Sequence, residues 1–211
     1  MAEVSLVRNG LTLAAIAAVC TTLVAFTYRA TDHRISANQQ AWLEQSLLPA
    51  LGAIEFDGNV GDAKLTIPAP HDLPGKGEAV IYRVYRDALP AAALFVVTAR
   101  NGYSGAIRLL VGIDAEGIIT GVHVLEHRET PGLGDGIEAS KSLWALQFNG
   151  RSLENPAAEG WEIRRDGGEF DQLTGASVTP RAVVKAVRET LLWYAQNSEA
   201  VFTTPSDEVT E

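Results

Sequence analysis

A single cysteine, Cys20, rules out an internal disulfide and any zinc or iron–sulfur site built from a cysteine cluster. Basic residues are also scarce. Seventeen Lys and Arg against 26 Asp and Glu leave a formal charge of −9, which lacks the positive field that nucleic-acid binding requires. Charged residues make up only 20% of the chain against 46% hydrophobic, which excludes disorder. No internal repeat, P-loop or Ser–His–acid set is present, so no catalytic residue is assigned. His123 and His127 lie four apart, at the end of one strand and into a loop, where that spacing does not create a metal pair. No metal site is expected. A length of 211 residues fits one domain with a short appendage.

What is present is unevenly distributed. Leu11 to Tyr28 runs 18 residues without a charge, and as a helix it covers roughly 27 Å, close to the thickness of a bilayer's hydrocarbon. Arg8 precedes it and Arg29 and Arg34 follow, which leaves its orientation undecided by charge. A cleaved signal peptide is the competing reading, but Tyr28 stands close before a cut after Ala30, where a small residue is wanted. An uncleaved single transmembrane helix within an anchor over 1–35 is therefore expected. Trp42, Leu43, Leu47, Leu48 and Leu51 keep a helical spacing and predict a helical stalk over 36–51.

The globular part is expected over 52–205, with a polar tail at 206–211. Gly52–Glu78 reads as loops with one short strand at Lys64–Ile67. From Ala79 the hydrophobic period becomes two. Strands are predicted from Ala79, over Ala92–Ala99, around Ile107–Ile113 and over Ile118–Leu125, the last following an Asp-Ala-Glu-Gly turn at 114–117. Alternation puts His123 on the side of Ile119 and Leu125. A helix around Ala139–Gln147 carries Trp144 and Phe148 as core residues, a short strand falls near Trp161–Arg164, and a C-terminal helix follows. Strands first and helices after predict an α+β fold with an antiparallel sheet.

Thr179-Pro180 reads as a helix start, N-cap then first position, with Val183, Val184, Val187, Leu191 and Tyr194 as the buried stripe. The preceding Thr174-Gly175-Ala176-Ser177 turn then sits at a helix N-terminus, where free N–H groups favour a phosphate and Arg181 or Lys185 could add charge. A capping loop without any ligand is the plainer reading. Arg164-Arg165 reads as a solvated face or a partner contact.

The stretch Asp171-Gln172-Leu173-Thr174-Gly175-Ala176-Ser177 resembles the flavinylation motif of a family of FMN-binding domains. That family comprises the RnfG proteins of the Rnf ion-translocating electron-transport complex and their counterparts in the sodium-pumping NADH:quinone oxidoreductase. In it the last residue of the motif is a threonine that carries FMN through a phosphoester; here it is Ser177. Glu129-Thr130-Pro131-Gly132-Leu133-Gly134 resembles the family's loop against the flavin ring, and Gly102-Tyr103-Ser104-Gly105 is also similar. The resemblance implies a membrane-anchored electron relay with covalent FMN on Ser177. The helix start at Thr179 would support the phosphate, Thr174, Gly175 and Ala176 would bind the cofactor beside it, and Thr130, Pro131, Gly132, Leu133 and Gly134 would contact the ring; Thr174 and Thr179 are the alternative attachment sites. It also implies the other Rnf subunits as partners, a flavin transferase for maturation, and a globular domain on the periplasmic side of the inner membrane. The whole complex would couple electron transfer between NADH and ferredoxin to ion transport. Two alternatives are a stand-alone extracytoplasmic flavin carrier and a non-flavinylated membrane-anchored scaffold.

Overall fold

The computed structural model describes residues 13–14, 16–22 and 46–205. The chain divides into two units, Met1–Leu43 and Glu44–Glu211. In the first, the described residues are helical and exposed, and the Thr21 and Thr22 hydroxyls donate to the Ala17 and Ala18 carbonyls at 2.8 and 2.7 Å. Half of the expected span Leu11–Tyr28, and the tail, lie outside the described residues. Among the described residues no helix is long and apolar enough to cross a membrane.

The second unit is built on a five-stranded antiparallel meander in sequential order. Its strands are β1 (Lys64–Ile67), β2 (Ala79–Arg86), β3 (Leu89–Ala99), β4 (Ile107–Asp114) and β5 (Ile119–Glu126). A single long helix, α1 (Val178–Thr203), covers one face. That face carries Ile81, Phe95, Val97, Leu109, Val111 and Ile113, all buried. The helix meets them with Val183, Val184, Val187, Leu191 and Tyr194, the stripe its spacing predicts. Phe95 sits edge-on to both Trp193 and Tyr194, with ring centroids 6.0 and 5.8 Å away. At the helix's far end the buried Arg83 guanidinium donates to the carbonyls of Val201 and Thr204. A cation is thereby held against the negative end of the dipole.

The opposite face is covered by the helical stretch 46–51, the described part of the expected stalk. Leu47, Ala50 and Leu51 are fully buried there. Two glycines paired across β4 and β5, Gly112 and Gly121, make the approach possible. A Cβ on Gly112 would fall 2.1 Å from the Ala50 carbonyl oxygen, and one on Gly121 would fall 2.9 Å from that of Pro49. The Thr120 hydroxyl then donates to the Ala50 carbonyl and fixes the register. Gly112→Val should push this segment off the sheet. The loss is expected to be about 2 kcal/mol or more, read as a lower melting temperature together with new proteolysis near residue 52.

Three local expectations are corrected. His123 does not share a face with Ile119. A bulge between Ile113↔Ile119 and Gly112↔Gly121 inserts Thr120, so Val122 and Val124 join Ile119 in the core and His123 turns to the other side, where burial lowers its pKa. Ala139–Gln147 is not an α-helix. The stretch begins as a turn over 139–141, and only its end joins a 3-10 turn, Trp144–Phe148, because Ser142 diverts the backbone, donating to the Gly136 carbonyl and accepting from the Trp144 N–H. Trp144 and Phe148 are core residues as expected, 5.4 Å apart. Trp161–Arg164 is not a strand but a single bridge between Ile163 and Phe170. Gly167, with φ +96°, and Gly168, pressed against the Glu162 carbonyl, turn the chain back too soon for a strand.

Candidate functional site

Three connections meet where β4 begins and α1 starts. Thr130–Leu133 is a four-residue turn: the Leu133 and Gly134 N–H groups donate to the Thr130 carbonyl, and Gly132 takes φ +76° at the third position. Leu173–Ala176 repeats the device. The Ala176 N–H donates to the Leu173 carbonyl at 3.0 Å, with Gly175 at φ +77°. The two turns touch: a Cβ on Gly175 would lie 3.1 Å from Leu133 Cδ2. Only a residue without a side chain gives both the left-handed backbone and that close approach.

Between them lies a cavity of about 310 Å³ lined by Tyr103, Glu129, Thr130, Leu133, Gly134 and Gly175 to Thr179. Tyr103, Leu133 and Val178 stand at its rim as exposed apolar side chains. A polar groove of about 560 Å³ adjoins it, lined by Arg164, Arg165 and Asp171 to Ser177. Gly175, Ala176 and Ser177 border both.

The carboxyl of Glu129, almost fully buried, ties the connections together. One oxygen accepts the Ser104 N–H at 2.9 Å; the other accepts the Tyr103 N–H at 3.2 Å and the Thr179 hydroxyl. Gly102 and Gly134 pack directly on it, since a Cβ on either would come within 3.1 Å of its carboxyl oxygens. The Glu129 N–H donates to His127 Nδ1 at 3.0 Å, and His127 Nε2 pairs with Glu138 at 2.8 Å. The hydrogen bonds from His127 and Ser140 hold the Glu138 carboxyl below its usual range. A depressed carboxyl stabilises the fold above its unfolded value near 4.5 and loses that contribution as pH falls through its folded value. Glu138→Gln should therefore melt lower than the parent near neutrality, with the gap closing below about pH 4.5. Parallel melts from pH 3 to 7 check this.

Thr179 is not the N-cap. The helix begins at Val178, and Ser177 holds the cap position with φ −107° and ψ −20°, its hydroxyl making no cap hydrogen bond. The buried Glu129 carboxyl claims the Thr179 hydroxyl instead. Among the described residues, Ser177 Oγ has one hydrogen-bond partner, Arg165 Nη1 at 3.5 Å. Arg181 and Lys185 do not supply free charge either: Arg181 is paired in two-point fashion with Asp166 at 2.7 and 3.0 Å, and Lys185 faces Glu189 at 3.8 Å. Asp171 pairs with Arg164 at 3.0 Å, and its backbone is pinned by Trp144 Nε1 at 2.5 Å and by Gln147 Oε1 at 2.7 Å.

Of the residues singled out from sequence, Thr130, Leu133, Gly134, Gly175, Ala176, Ser177 and Thr179 surround one cavity. Thr174 lines only the adjoining groove, and Pro131 and Gly132 are exposed and line neither. Tyr103, which an ordinary turn would also explain, stands at the rim. Glu129 and Arg165 were not assigned to a site from sequence. An acid opening a glycine turn was the available signal for Glu129, but its burial comes from segments distant in the chain. Among the described residues no group of His, Cys, Asp and Glu could hold a metal ion.

A family model described as an FMN-binding domain matches residues 102–192, and one described as the RnfG N-terminal region matches residues 1–49. An ion-translocating oxidoreductase complex subunit from Pseudoalteromonas atlantica is 39% identical over 95% of this chain and 93% of its own. The subunit of the same name from Pseudomonas aeruginosa is 42% identical over 92% and 91%. Among solved structures, NqrC of Shewanella oneidensis superposes with a TM-score of 0.52 at 17% identity, covering 79% of this chain and 97% of that one. That likeness establishes the fold alone.

Proposed function

The chain belongs to the RnfG family of ion-translocating oxidoreductase complex subunits, and from that membership we propose that it is the flavin-bearing electron-transfer subunit of an Rnf-type complex at the inner membrane. The complex couples electron transfer between NADH and ferredoxin to ion transport, and its other subunits are the chain's partners. A single span within residues 11–28 anchors the chain, with the globular unit on the periplasmic side.

The residues suit FMN. A cavity of about 310 Å³ falls in the range of small-ligand pockets. Its walls offer apolar side chains at Tyr103, Leu133 and Val178, and glycine backbone where a planar ring needs close approach. Ser177 stands at its edge. A serine in an N-cap position ordinarily spends its hydroxyl on the helix; this one does not, and that observation carries the assignment of a phosphoester there. FMN, when bound, supplies the redox chemistry, and no bond-making residue is required of the polypeptide. The chain's own work is to hold the ring between the 130–134 and 173–176 turns, to keep those turns in place through Glu129, and to anchor the phosphate at Ser177. A separate flavin transferase installs the group.

The test is a denaturing gel of the full chain made in cells that contain the transferase. Flavin fluorescence should travel with the polypeptide, and a dark band overturns the reading. Co-purification with membrane partners tests the assignment to a complex.

A further inference from the structure

We propose that Arg165 binds the phosphate of the attached flavin, so that Ser177 divides the cofactor between two compartments: the ring in the Tyr103–Thr179 cavity and the phosphate in the Arg164–Ser177 groove. This rests on the flavin reading above and assigns a residue that reading does not need. Four cations stand near the start of α1, and three are already matched: Arg164 by Asp171, Arg181 by Asp166 and Lys185 by Glu189. Arg165 makes no ion pair among the described residues. Its side-chain hydrogen bond is to the hydroxyl that would carry the ester, Nη1 lying 3.5 Å from Ser177 Oγ. The non-bridging oxygens of a phosphate on that hydroxyl lie two bonds beyond Oγ, within reach of a guanidinium already so close.

The groove's composition fits the same role. It is the more polar of the two spaces bordering Ser177 and the only one of them lined by arginine. A phosphodiester carries one negative charge, and it would enter a chain of formal charge −9 with Asp166 and Asp171 close by. A guanidinium whose planar fork matches phosphate oxygens offsets that repulsion. Arg165 is thus a specificity residue, distinguishing FMN from the same ring without a phosphate.

The full chain carrying Ser177→Ala forms no ester at that position and permits a reversible titration, followed by flavin fluorescence. With Arg165 present, FMN should bind about tenfold more tightly than riboflavin at low salt, and the ratio should shrink as salt is added. Adding Arg165→Ala should bring FMN down to the riboflavin level and leave riboflavin unchanged, while Arg165→Lys should restore part of the preference. Arg164→Ala should keep most of it. A preference that survives Arg165→Ala, one that Arg164→Ala removes equally, or equal affinities with Arg165 in place would overturn the assignment. Failure of both flavins to bind this variant would also overturn the assignment, whereas a dark gel band from the parent is the separate result that overturns the flavin reading. Arg165 is exposed, so the variants should melt with the parent, and the comparison is not confounded by unfolding.

Discussion

Ser177→Ala is expected to abolish covalent flavin completely while leaving the fold almost untouched. A phosphoester needs a hydroxyl, and alanine has none. Replacing an N-cap serine ordinarily costs about 1 kcal/mol through the lost cap bond. Here no such bond exists, so the change should stay within about 0.5 kcal/mol, or about 1–2 °C in melting temperature. Intact mass should fall to that of the bare polypeptide, and gel fluorescence should vanish. Ser177→Thr should keep the flavin, since it preserves the hydroxyl at the same place. Full flavin on the alanine variant would move the attachment to Thr174 or Thr179. The two differ sharply in access: Thr174 is exposed in the outer groove, whereas Thr179 is fully buried with its hydroxyl on Glu129. Peptide mass spectrometry separates the three.

Glu129→Ala should be the most damaging change at the site. It strips acceptors from the Tyr103 and Ser104 N–H groups and from the Thr179 hydroxyl, and opens a void beneath Gly102 and Gly134. Leaving several buried donors unpaired costs about 3 kcal/mol, which for a domain of this size lowers the melting temperature by roughly 6–12 °C. The three connections would lose their common tie, so flavin occupancy should fall with stability even though Ser177 is intact. Glu129→Gln separates the two effects. It keeps the volume, but puts an amide N–H₂ where an acceptor is needed, so it should melt above the alanine variant and below the parent. A melt unchanged in both variants would show that the tie is not needed.

Much of the architecture follows from local pattern. Period-two alternation locates the strands of the meander, and the buried valine and leucine stripe locates α1, because each repeats over enough residues for burial of one face to dominate. The glycine turns at 130–134 and 173–176 are legible for a related reason: each places glycine at its left-handed position, Gly132 and Gly175. Where the pattern misleads, a single residue intervenes. Thr120 as a bulge reverses His123, Ser142 replaces an α-helix with a turn and one 3-10 turn, and Gly167 and Gly168 cut a strand to one bridge.

The sequence by itself determined the charge balance, the absence of cysteine-cluster chemistry, the positions of the strands and both motifs, including Ser177. Tertiary structure alone decided what those motifs do to each other. It took the Thr179 hydroxyl from the helix cap and gave it to Glu129, released Ser177 from capping, and paired Arg181 with Asp166 while leaving Arg165 beside the serine. The physical reason is that the Arg165–Ser177 and Thr179–Glu129 hydrogen bonds join residues 12 and 50 positions apart, so they depend on which partners the fold brings together, and no local propensity encodes that competition.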